Sequence, residues 1–103
     1  MKKIIEGKRY DTETAHLVAE WNNGYYGNDF KRCSEDLYRT KKGSWFIHGE
    51  GGPMSSYSRP AGNMVTGGED IRPLTLEEAR SWLETHDFPD EVEQYFPDQV
   101  QDA

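Results

Sequence analysis

The stretch DLYRTKKGSWFIHG, Asp36 to Gly49, constrains the fold of this chain more than any other. Two strand-like runs, Leu37–Thr40 and Ser44–His48, flank Lys41-Lys42-Gly43. A three-residue connection with Gly at the position that needs positive φ closes a tight hairpin. In the second run Trp45 and Ile47 share one face, and Phe46 and His48 share the other. A strand that is apolar on both faces needs cover on both. The hairpin is therefore expected at the centre of a sheet rather than at its rim. Arg39, Lys41 and Lys42 keep its tip basic.

The rest of the chain must supply that cover. Hydrophobic residues make up only 34% of the 103 residues, and the mean hydropathy is −0.97. Values like these suit a disordered chain, but a 13% aromatic share does not. Each ring can bury roughly 150–250 Å². The expectation is one small folded domain, residues 1–103, with a thin core rich in rings. Lys2 to Tyr10 reads as a first strand, bent at Gly7. Thr12 to Trp21 places Ala15, Leu17, Val18 and Trp21 at helical spacing, and Asn22-Asn23-Gly24 stops the helix. Gly24 to Glu35 reads as irregular, with an extended piece near Phe30 to Cys33; Tyr25, Tyr26 and Phe30 are read first as cover for an edge of the core, with exposure for recognition as the alternative. Glu69 to Leu74 reads as a short strand, with Pro73 confining it to an edge. Thr75 and Glu78 match a capping box. The helix they open runs to His86 with Leu76, Ala79, Trp82 and Leu83 inward. Asp87-Phe88-Pro89 breaks it, and a second helix over Asp90 to Phe96 turns Val92, Tyr95 and Phe96 inward. The class is α+β: a small, mainly antiparallel sheet with a central hairpin, one N-terminal helix and two short C-terminal helices.

Charge separates the two ends of the chain. Met1 to Thr66 carry ten Lys/Arg against eight Asp/Glu, whereas Gly67 to Ala103 carry two against eleven. The total of −7 thus sits in the last third. An acidic surface repels phosphate backbones and steers toward basic partners, which argues against direct nucleic-acid binding. No apolar run approaches the ~20 residues of a membrane span, and the N-terminal residues lack the apolar stretch of a signal peptide. A cytoplasmic protein with no membrane association is expected. Cys33 is the single cysteine, so no intramolecular disulfide and no cysteine-rich zinc site can form.

Reactive motifs are sparse. His48-Gly49-Glu50 resembles half of a zinc-deaminase signature, but the P-C-x-x-C half is missing. Gly49-Glu50-Gly51-Gly52-Pro53 lacks the third Gly of a dinucleotide fingerprint, and Pro53 removes an N–H that would cradle phosphate. Ser55, Ser56 and Ser58 lie in no nucleophile elbow. The reading is therefore no enzyme, no metal and no cofactor. The run His48 to Asn63 holds four of the ten glycines and is expected to be a long surface loop. In it Glu50, Tyr57 and Arg59 are candidate partner contacts, Tyr and Arg being favoured at hot spots. The alternative function is a small-ligand or hydrolytic domain using His48 and Glu50 beside the Gly49–Gly52 loop.

The segments KRYDTETAHLVAEWNNG, LYRTKKGSWFIHGEGGPMSSY and IRPLTLEEARSWLETH, in that order, resemble a group of small bacterial proteins carried by phages and other mobile elements. The resemblance implies an accessory protein of mobile DNA inside a bacterial host cell. Such proteins often block host defences, and small acidic anti-CRISPR and anti-restriction proteins form a class of this size and charge. The resemblance transfers no catalytic residue. The function expected is thus non-enzymatic binding, by contact or by mimicry of nucleic acid, to a basic nucleic-acid-binding protein or complex. The carboxylates expected to carry it are Glu69, Asp70, Glu77, Glu78, Glu84, Asp90, Glu91 and Glu93. The protein itself would be a monomer or a homodimer.

Overall fold

A computed structural model describes residues Met1–Ala103. The hairpin lies where the sequence put it. Strand β4 (Cys33–Arg39) pairs antiparallel with β5 (Trp45–Gly51), with Leu37 opposite Ile47 and Arg39 opposite Trp45. Gly43 turns the tip at φ 91°, a conformation that costs a residue with a Cβ. On either side are β3 (His16–Asn22) and β8 (Gly68–Leu74), in the order β3-β4-β5-β8. Pro73 lies in β8, an edge strand, where its missing N–H disrupts no ladder.

One face of the sheet is covered by the helices, and the other is covered around Phe46 and Ile71. On one face Ala19, Leu37, Trp45 and Ile47 pack against Ala79, Trp82 and Leu83 of α1 (Leu76–Thr85) and against Val92 and Phe96 at α2 (Pro89–Tyr95). The opposite face of β5 buries Phe46 completely, between Tyr10 in edge contact and Tyr38 in a stack. Tyr10 belongs to a separate hairpin, β1 (Lys2–Ile5) and β2 (Lys8–Asp11), which turns at Glu6 and Gly7. A third pair, β6 (Arg59–Ala61) with β7 (Met64–Thr66), stands out from the body with all its residues exposed. A short 3-10 turn, Pro97–Gln99, ends the chain's regular structure. The class is α+β, with a central antiparallel sheet and two short C-terminal helices.

The N-terminal helix is a correction: Thr12–Trp21 contains no helix, and His16–Asn22 is a strand. The Asp11 carboxylate accepts from Glu13 N–H at 2.9 Å, but the turn it caps joins β2 to β3 and opens no helix. Beyond it Ala19 and Trp21 face the helices at a period of two, opposite Leu37 and Glu35. Apolar residues at 15, 17, 18 and 21 satisfy helical spacing, whereas a strand accommodates them only through the register shift between Leu17 and Ala19; pairing along the free edge of β4 decides for the strand. The first strand is two strands, because Glu6-Gly7 reverses the chain. The extended piece begins only at Cys33. Tyr25, Tyr26 and Phe30 do not cover the core; Tyr26 is 73% exposed. Leu76 is also exposed, at the first turn of α1, before the helix crosses the sheet. The glycine run is not one loop. His48–Gly51 complete β5, and Arg59–Ala61 form β6.

Candidate functional site: an acidic cleft on the C-terminal helices

Thr75 opens α1 with the reciprocal bonds of a capping box. Its hydroxyl accepts from Glu78 N–H at 3.1 Å, and the Glu78 carboxylate accepts from Thr75 N–H at 2.8 Å. Those bonds hold the Glu78 carboxyl below the usual range. Asp87 then adopts φ 64°, and Phe88 N–H reaches back to Leu83 C=O at 2.9 Å, which reverses the chain into α2. Phe88 stacks flat on Trp82, 5.7 Å between centroids. The reversal leaves an open cleft of about 370 Å³ between α1, α2 and the C-terminal turn. Phe88, Pro89, Val92 and Val100 supply its apolar lining. Glu84, Asp87 and Glu93 line the same cleft as exposed carboxylates.

The cleft thus gathers Glu84 and Glu93 with Asp87, which the sequence reading did not single out. Glu77 lies two turns before Glu84 on the same side of α1. Asp90 and Glu91 occupy the first turn of α2, where the helix dipole favours them. Glu69 and Asp70 lie apart from this group, on β8. Glu69 meets His48 Nε2 at 2.8 Å. Asp70 accepts from Lys3 Nζ at 2.7 Å and from Ile71 N–H at 2.9 Å, with Arg59 at 3.6 Å. The lysine bond holds the Asp70 carboxyl low. These two carboxylates already have cationic partners inside the chain, and so does Glu84 in the cleft, whose Oε2 stands 3.9 Å from Arg80 Nε.

The glycine-run candidates also separate. Glu50 is exposed near the end of β5 and lines a cleft with Tyr25, Tyr26 and Arg32. His48 shares its sheet face, and its Nε2 is engaged by Glu69 at 2.8 Å. Arg59 remains largely exposed, its guanidinium donating to Glu69 C=O at 3.1 Å. Tyr57 turns inward. It lies on Gly49, where a Cβ would overlap its ring, and its hydroxyl donates to Glu35.

Glu35 is the junction that sequence reading missed. Its side chain is 13% exposed on the helix-side face of β4. One carboxylate oxygen accepts from Trp82 Nε1 at 3.0 Å and the other from Tyr57. His86 Nε2 and Arg72 Nη2 each stand 3.9 Å away. The Trp21 ring packs on His86 at 4.2 Å. Burial, together with Glu35, pushes the Tyr57 hydroxyl far above its ordinary range. Burial lowers the His86 imidazole, with Glu35 partly opposing. The junction pins α1 to the sheet and so fixes the wall from which Glu84 projects. Its partners lie 22 to 51 positions from Glu35 in the chain, so no local pattern marks them.

No cluster of three or more His, Cys, Asp or Glu is arranged to hold a metal ion, and no helix is long and apolar enough to cross a membrane. Comparison of the chain with protein-family models, curated proteins and solved structures finds no match.

Proposed function

We propose that this chain is a non-enzymatic acidic binding protein of phage or mobile-element origin. Its partner is a basic nucleic-acid-handling protein or complex of a bacterial defence system, of CRISPR or restriction type. The protein inhibits that partner by occupying the surface meant for nucleic acid. The observation that carries this reading is the cleft between α1 and α2, in which Glu84, Asp87 and Glu93 accompany an apolar lining of Phe88, Val92 and Val100. A lysine or arginine of the partner needs both: apolar surface for its stem and carboxylates for its head. The carboxylates along α1 and α2 add a field that draws a basic surface in and fixes its register.

Purified effector complexes and restriction enzymes, assayed for DNA binding and cleavage with and without the protein, test the proposal. Inhibition is expected for at least one basic effector. It should weaken with salt and be lost in the variant Glu84→Lys/Asp87→Lys/Glu93→Lys. Inhibition that survives the triple reversal would exclude this cleft as the contact.

A further inference from the structure

The chain carries a second cleft of opposite character. Where the tip of the β4–β5 hairpin meets the turn before β3 and the end of α2, an open cleft of about 530 Å³ is formed. Thr14, His16, Arg39, Lys41 and Lys42 line it, with Tyr95 from α2, and no carboxylate does. That is unexpected in a chain of net charge −7. Arg39, Lys41 and Lys42 form no ion pair within the molecule, as is also true of Lys2, Lys8, Arg9, Lys31 and Arg32, whereas Lys3, Arg59, Arg72 and Arg80 each stand within 4 Å of a carboxylate; what sets the three apart is that they line one cleft together. Arg39 is nevertheless held: its guanidinium carbon lies 5.4 Å from the Trp45 ring centroid and 5.8 Å from that of Tyr95. A guanidinium placed by two rings loses less conformational freedom when it binds, and its planar fork suits the oxygens of a phosphate.

We infer that this cleft binds a small phosphate-bearing molecule, of the phosphomonoester or diphosphate class. Arg39 supplies the fork, Lys41 and Lys42 the point charges, and the Thr14 hydroxyl a further donor. The volume lies within the range of about 300–1,000 Å³ usual for small-molecule sites. The same cations could meet the phosphates of a nucleic acid, but the charge balance favours the small ligand. A long polyanion extends past the cleft and meets the field of the acidic chain. A small anion inside the cleft responds chiefly to groups within the screening length, about 8 Å at physiological salt.

Inorganic pyrophosphate titrated into the full chain near physiological salt, followed by amide NMR, tests the inference. The expected result is a saturable shift confined to Thr14–His16 and Arg39–Gly43. Lys41→Ser/Lys42→Ser, at two exposed positions, should weaken it by about tenfold or more. Arg39→Lys, which keeps the charge and loses the fork, should also weaken it, and Lys2→Ser/Lys8→Ser should not. Three results would overturn the inference: shifts scattered over unrelated lysines without saturation, an affinity unchanged in the Lys41/Lys42 variant, or binding of duplex DNA that pyrophosphate does not displace. None of these variants touches the acidic cleft, so this test stands or falls separately from that of the proposed function.

Discussion

At Glu35 two aromatic donors converge on one carboxylate that is largely removed from water. Glu35→Ala strands both the Trp82 indole N–H and the Tyr57 hydroxyl, and each buried donor left unpaired costs about 1–3 kcal/mol. Chemical denaturation of this variant should show a loss of about 2–4 kcal/mol, and Glu35→Gln, which keeps an acceptor, should lose less. Gly49 makes a second prediction at this scale. A Cβ there overlaps the Tyr57 ring, so Gly49→Ala should cost about 1–3 kcal/mol by forcing the ring aside. With Tyr57→Ala already in place, the same change should cost clearly less. A double-mutant cycle by urea unfolding reads the difference, and additive losses would show that the ring does not rest on Gly49.

Among the elements, α1 combines a local signal with a tertiary one. Its N-terminus was legible because Thr75 and Glu78 act within one turn, and Thr75→Ala should lower stability by about 1 kcal/mol. Its C-terminus places His86 between Trp21, Trp82 and Glu35. Burial holds the His86 imidazole below its ordinary pKa of 6.5 in the folded chain, with Glu35 partly opposing. The folded state therefore resists a proton that the unfolded chain accepts. The His86 contribution is intact above that value and falls away as the pH drops through 6.5 toward the folded pKa. Denaturation midpoints of wild type and His86→Gln, compared across that window, should converge at the acid end. Asp36, held high by burial and by Glu20, acts with the opposite sign, which is why the comparison with the variant matters. Element type was legible wherever a short-range rule decides it: the Gly43 turn, the Pro73 edge and the Thr75 cap. It was not legible over His16–Asn22, where the free edge of β4 overrides a helical spacing. Nor was it legible at Tyr25, Tyr26 and Phe30, since aromatic identity does not say which rings the core has room for.

Across the whole molecule, charge is sorted into two clefts: an acidic one on the C-terminal helices and a basic one at the hairpin tip. The acidic third was plain from composition, but its division was not. Only the fold shows that Glu69 and Asp70 meet His48, Lys3 and Arg59, while Glu93 and Asp87 line the cleft without an ion pair and Glu84 lines it 3.9 Å from Arg80. Phe88 and Val100 gave no sequence signal as a binding surface, because their pairing with those carboxylates depends on the reversal at Asp87. A partner drawn to this cleft by charge should associate more slowly as salt rises. Association rates followed by surface binding at about 50 and about 300 mM salt should differ by tenfold or more for wild type. The most direct measurement is dose-dependent inhibition of DNA cleavage by basic CRISPR and restriction effectors, with wild type and Glu84→Lys/Asp87→Lys/Glu93→Lys compared side by side. The account predicts that wild type stops cleavage by at least one of them, and that the equally folded variant requires about a hundredfold more protein or fails altogether. Equal potency of the two, or no inhibition by wild type of any effector, would contradict it.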